Sequence, residues 1–168
     1  IFTALFGVNF ALYYYLLVRN FRAVAKNSEL RIYLILLLGS SVLIALDILP
    51  MYGNNFFTSL RYSFFQVSSI ITTTGYATTD FDLWPAFSKT LILLLMVCGA
   101  CAGSTGGGIK VARLLLIFKS LTRNIRQVIS PRKVELVRNN GAVVDEKILD
   151  NTNAYLAAYV IIIFAVFL

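Results

Sequence analysis

Four stretches of this chain are too apolar and too poor in charge to serve as surface elements of a protein folded in water. Ile1–Val18 carries no charged residue, Ile32–Leu49 carries only Asp47, and Thr90–Gly108 carries none. Ala154–Leu168 is apolar to its last residue. A membrane-spanning helix needs about 20 mostly apolar residues, and these windows approach that length. The whole composition agrees, with 58% of 168 residues hydrophobic and 14% charged, against roughly 45–50% and 25% in soluble domains. The expected fold class is an all-α polytopic membrane protein. The chain opens on Ile1 without a Met and closes inside an apolar run, and it lacks the basic flank of a signal peptide. It therefore reads as an excerpt from a longer protein, with both ends inside transmembrane helices.

Charge gives the orientation. Eleven of the 15 Lys and Arg residues fall in two segments, Arg19–Arg31 and Lys119–Lys147. By the positive-inside rule these face the cytoplasm, as residues 19–31 and 119–153, and Pro50–Lys89 faces outward. A net charge of +7 could suggest nucleic acid, but that needs basic and aromatic residues together on a folded surface. Here the aromatics sit in the apolar windows, so no nucleic-acid partner is expected; the partner implied is the lipid bilayer. Cys98 and Cys101 form one C-x-x-C in an apolar stretch of a chain without His. A zinc or redox site wants a second pair or nearby histidines, so the thiols are read as unreactive.

Between the outward turn Gly53-Asn54-Asn55 and the polar Ala77–Trp84 lies Ser59–Ile71, apolar at most positions but too short to span. Such a segment suits a re-entrant helix, with Ser59 as its N-cap. It runs into Thr72-Thr73-Thr74-Gly75-Tyr76. Two readings stand for these five residues. One is a Thr-rich turn at the membrane surface. The other is an ion filter, whose carbonyl oxygens replace the water shell of a cation and whose glycine permits the backbone to aim them. Asp80 and Asp82 beside it are either solvated loop acids or a pore mouth that concentrates cations. Trp84 is expected as an interfacial anchor at the head of a long helix, Pro85–Phe118.

That helix is interrupted by Gly99–Gly108, with five glycines in ten residues. A phosphate-binding loop fails, because Ile109 follows Gly108 where Lys is required and no strand precedes it. A close helix-packing site remains open, and so does an unwound, movable segment in a permeation path. Lys110 is costly facing lipid and is expected to turn toward a cavity or the loop's own carbonyls. A hairpin is expected within Val134–Val144, after a turn at Ser130-Pro131.

Two motifs together, Ser69-Ile70-Ile71-Thr72-Thr73-Thr74-Gly75-Tyr76 and Cys101-Ala102-Gly103-Ser104-Thr105-Gly106-Gly107-Gly108-Ile109-Lys110, resemble the Trk/Ktr/HKT superfamily of potassium transporters, nearest its TrkH-type pore subunits. Ser130-Pro131-Arg132-Lys133-Val134 and Asn140-Gly141-Ala142-Val143-Val144 are also similar to that family. The resemblance implies four non-identical helix–pore-loop–helix units in one polypeptide, with residues 32–126 as the third. Its pore helix would be 59–71, its filter 72–76 and its gating loop 99–108. Residues 1–18 would end the preceding repeat, 127–153 would be a cytoplasmic linker, and 154–168 would begin the next transmembrane helix. It further implies K⁺ as the transported ion, coordinated by Thr73 and Thr74 before the filter Gly75. Gly103, Ser104, Thr105, Gly106, Gly107 and Gly108, followed by Lys110, would form the gate below them. A homodimer in the cell's inner membrane, controlled by a cytoplasmic nucleotide-binding RCK subunit of TrkA type, follows from the same resemblance. A single Gly75 stands where potassium channels have Gly-Tyr-Gly, so weaker discrimination against Na⁺ is expected.

Two other classes compete. A homotetrameric cation channel with one pore loop per chain is argued against by the extra helices at both ends. A membrane enzyme using Cys98 and Cys101 lacks His, and Asp47 is its one acid at membrane depth. No enzymatic activity is expected.

Overall fold

Asparagine starts four consecutive helices. The computed structural model describes residues 1–129, 138, 139 and 142–167. After a short first helix, α1 (Phe2–Phe6), come α2 (Phe10–Leu17), α3 (Phe21–Lys26), α4 (Ser28–Asp47) and α5 (Phe56–Ile71). Each of these four follows an Asn whose side-chain oxygen accepts a first-turn N–H. Asn9 takes the Ala11 N–H at 2.9 Å and Asn27 that of Leu30 at 3.0 Å. The short amide side chain can reach back to these otherwise unpaired donors, which is why Asn is favoured there.

The caps move several boundaries. Ile1–Val18 is two helices, parted by Gly7-Val8-Asn9. The short helix after the outer turn begins at Phe56, capped by Asn55, and Ser59 is fully buried within it. The stretch read as Pro85–Phe118 is α6 (Ala86–Val97) and α7 (Val111–Ile129), with irregular backbone from Cys98 to Lys110. The last helix, α8 (Glu146–Phe167), starts at Glu146 rather than Ala154. Apolarity marks the part of a helix fit for lipid, whereas helices extend beyond it into polar sequence.

The chain divides into two units, Ile1–Val111 and Ala112–Leu168. In the first, α4 supplies the spine. Tyr33, Leu37, Ser41, Ile44 and Ile48 recur at helical spacing and are buried against α5 and α6, where Val67, Ile71, Ile92 and Leu95 complete the core. Small polar residues let α4 and α5 approach, as expected between membrane helices, and the Ser63 hydroxyl donates across to the Ser41 carbonyl at 2.8 Å. Trp84 belongs to this core, 2% exposed, rather than presenting its ring at the surface. Asp47 acts as the N-terminal cap of a different helix. Its carboxylate accepts the Ser88 N–H at 3.2 Å and the Ser88 hydroxyl at 2.6 Å, in the first turn of α6.

In the second unit, Leu116 of α7 packs with Leu149 of α8 and Val144, and the Arg113 guanidinium lies 4.1 Å from the ring centre of Tyr155. The Arg123–Glu146 pair at 3.4 Å is exposed on its acidic side and contributes little. Two short strands, β1 (Arg138–Asn139) and β2 (Ala142–Val143), pair antiparallel. The expected Ser130-Pro131 turn, the basic pair Arg132 and Lys133, and Asn140-Gly141 lie outside the described residues. Among the described residues, Ser28–Asp47 and Glu146–Ala165 are long and apolar enough to cross a membrane. The 12 residues of α6 extend only about 18 Å.

Replacing Asp47 leaves two donors at the start of α6 without an acceptor. Asp47→Ala in the full-length parent is expected to cost about 1–2 kcal/mol. A lowered thermal-unfolding midpoint in detergent, largely restored by Asp47→Asn, is the outcome that checks it.

Candidate functional site

Helix α5 ends at Ile71, and the chain then turns back with Thr73 at φ 55° and Gly75 at φ 79°. Left-handed backbone is unfavourable for a β-branched residue and persists only where surroundings enforce it. Here the Thr73 hydroxyl is fixed twice. It donates to the Thr72 carbonyl and accepts the Gly107 N–H, both at 2.7 Å. The Thr72 hydroxyl donates to the Ser68 carbonyl at 2.7 Å and lies 2.7 Å from the Thr74 hydroxyl. Having one proton, it accepts from Thr74.

Ser69 clamps the same segment. Its carbonyl accepts the Thr74 N–H at 2.8 Å and the Gly75 N–H at 3.4 Å. Its hydroxyl donates to the Tyr76 carbonyl at 2.6 Å. The carbonyls of Thr72 and Tyr76 are thus engaged, while those of Thr73, Thr74 and Gly75 accept no hydrogen bond from the described residues. Thr72 is buried and residues 73–76 are exposed. Ser69 was within the sequence motif but not singled out, because a serine in an apolar helix ordinarily bonds back to its own turn.

The segment from Cys98 to Lys110 is a loop with joined ends. At its base the Gly99 N–H donates to Ile109 O at 2.7 Å and the Ile109 N–H to Val97 O at 3.4 Å. Its tip meets the break between α1 and α2. The Cys101 N–H donates to Gly7 O at 3.0 Å, and the Phe10 N–H to Gly103 O at 3.2 Å. The Thr105 hydroxyl donates to Phe6 O at 3.5 Å. Gly107 reaches Thr73, as above. Two charged side chains complete the set. Lys110 donates to the loop's own Gly106 carbonyl, and Glu29 of α4 accepts the Ala102 N–H. Ser104 bonds within the loop, its N–H donating to Cys101 O at 3.2 Å.

The glycines differ in purpose. A Cβ on Gly99 would stand 2.1 Å from the Gly107 carbonyl oxygen, and one on Gly7 2.2 Å from the Tyr33 hydroxyl. These two are glycines for lack of space. Gly75 has nothing within 4 Å and is glycine for its positive φ. Asp80 accepts the Asp82 N–H at 3.0 Å, and the Asp82 carbonyl accepts from Lys89 Nζ at 3.1 Å. Both acids are exposed, and the Asp80 carboxylate caps the turn that contains them. Cys98 and Cys101 are free thiols.

The TrkH family, described as cation transport protein, matches residues 29–168. The chain belongs to the TrkH family. The Trk system potassium uptake protein TrkH of Salmonella typhimurium is 32% identical over 167 residues, covering 96% of this chain and 34% of that protein. The uptake protein TrkG of Escherichia coli K12 is 31% identical, with 94% and 33% covered. The crystal structure of the potassium transporter TrkH from Vibrio parahaemolyticus superposes with a TM-score of 0.87 at 27% identity, over 98% of this chain and 36% of that one. The chain therefore spans about a third of the length of the curated relatives it matches, and its fold is that of a helical membrane transporter.

The two kinds of glycine predict different costs. Gly75→Ala meets only backbone strain, about 1–2 kcal/mol. Gly99→Ala drives a methyl into a carbonyl and is expected to cost about 3 kcal/mol or more. Thermal unfolding of the two full-length variants in detergent is expected to give the lower midpoint for Gly99→Ala.

Proposed function

We propose that this chain is one quarter of the pore of a potassium uptake protein, with K⁺ as the transported ion. The observation that carries the reading is the set of three consecutive carbonyls, Thr73 to Gly75, left without a hydrogen-bond donor among the described residues at the end of a short helix. A chain at membrane depth leaves carbonyls unpaired only where they line a watery or ion-filled space. A dehydrating monovalent cation takes oxygen ligands of this kind. The clamps from Ser69 and Thr73 hold these carbonyls in place before the ion arrives, so little reorganisation is spent on binding.

One such segment surrounds only part of an ion. The remaining ligands come from three further pore loops in the rest of the polypeptide, consistent with relatives about three times as long. The glycine loop, bonded through Gly107 to Thr73, lies against the inner end of the filter and acts as its gate. Gly103–Gly108 would have to withdraw for ions to pass. A homodimer and a TrkA-type cytoplasmic subunit belong to the same reading, with the basic residues of α7 and the linker after it as the docking region. A homotetrameric channel built from this single pore loop is less well supported, since the family's members carry far more chain than one loop needs.

The test is growth of a potassium-uptake-deficient cell on limiting K⁺. The full-length parent is expected to restore it. Gly75→Ser, which introduces a side chain at φ 79°, is expected to lower the K⁺/Na⁺ uptake ratio by about tenfold, equivalent to about 1.4 kcal/mol of lost discrimination. An unchanged ratio in a correctly inserted Gly75→Ser protein would remove the filter from this segment.

A further inference from the structure

Glu29 is not the cap of its own helix, although its charge suits the first turn. It sits in the first turn of α4, yet Asn27 already supplies the cap there, accepting the Leu30 N–H at 3.0 Å. The nearby Arg31 gives its guanidinium to the Ala25 carbonyl at 3.2 Å instead. Among the described residues Glu29 makes no ion pair, and Lys110, which shares Cys101 with it as a neighbour, gives its ammonium to the Gly106 carbonyl. The side chain is nevertheless only 9% exposed. Its carboxylate reaches across to accept the N–H of Ala102, 73 residues later, in the glycine loop. Burying a carboxylate is costly unless hydrogen bonds compensate, and this backbone donor is the compensation visible.

We propose that Glu29 is a positioning residue that latches the glycine loop in its blocking position through the Ala102 N–H; this rests on the reading of the loop as the gate. The base of the loop is closed by backbone hydrogen bonds between Val97–Gly99 and Ile109, so those ends stay fixed. Its tip is held by neutral contacts to Phe6–Phe10 and Thr73 and by the single bond to a carboxylate. A bond to an ionised acceptor is roughly twice as strong as a neutral one. It also belongs to one side chain, so rotation of Glu29 removes the one charged hold from another element and loosens the tip, whose remaining bonds to Phe6, Gly7, Phe10 and Thr73 are neutral. The adjacent Cys101, fully buried, reports on that release.

The experiment uses the full-length protein carrying Cys98→Ser, so that the segment holds a single thiol. The rate at which a membrane-permeant maleimide labels Cys101 is measured in Glu29, Glu29→Gln, Glu29→Asp and Glu29→Ala proteins. K⁺ flux into proteoliposomes without any cytoplasmic subunit is recorded in parallel. Loss of a hydrogen bond to a charged acceptor is expected to speed labelling about tenfold or more in Glu29→Ala. Glu29→Asp keeps the charge but withdraws it by one methylene and is expected to label severalfold faster. Glu29→Gln, which retains an acceptor oxygen but not the charge, is expected to label faster than the parent and slower than Glu29→Ala, with flux following the same order. Glu29→Asp carries the test if Glu29→Ala does not fold. Labelling unchanged in both variants, or equally fast in Glu29→Gln and Glu29→Ala, overturns the latch. Faster labelling with unchanged flux leaves the latch standing and overturns the assignment of the loop as gate.

Discussion

Backbone polar groups have no water to turn to at membrane depth, and the arrangement of the first unit follows from that constraint. Three of the breaks between its helices, at Gly7-Val8-Asn9, at Thr72–Tyr76 and at Cys98–Lys110, come together. Each would be untenable alone. Together they satisfy one another, through Cys101 to Gly7, Phe10 to Gly103 and Gly107 to Thr73. The glycine loop is the common member of all three bonds. The lack of side chains at Gly7 and Gly99 is what permits the approach, since a Cβ at either would overlap its neighbour.

Side chains finish what the backbone leaves open. Ser69 holds three backbone groups of the Thr74–Tyr76 segment, and Thr73 holds two, in a conformation a β-branched residue otherwise avoids. Asp47, the acid that a catalytic reading would have needed as its base, is committed to the start of α6. The charged residues of the first unit's interior therefore act on backbone ends and loops. The Thr72–Tyr76 segment is held mainly by its own helix end, whereas the glycine loop is held by bonds to three other parts of the unit.

Some of this was legible in residues alone. Charge-poor windows pointed to the membrane class, and the resemblance of Ser69–Tyr76 together with Cys101–Lys110 pointed to the family. The break in the first helix was not legible. Gly7 and Asn9 lie in an apolar stretch where periodicity continues through them, and a lone glycine in a membrane helix is commonplace. In sequence Glu29 looks like any acid at a helix start, and Ser69 like any serine bonding within its turn. What sets each apart is a partner far along the chain.

Sequence by itself determined the apolar helical membrane class, the turn after the short helix at Thr72–Tyr76, and the break in helix within Gly99–Gly108. These are properties of single residues and their immediate neighbours: apolarity, charge, and the conformations glycine allows. Only the tertiary structure decided which carbonyls stay unpaired, why Gly99 must be glycine while Gly75 has room to spare, and that Glu29 holds Ala102. Those depend on distances between segments tens of residues apart, which no local pattern encodes.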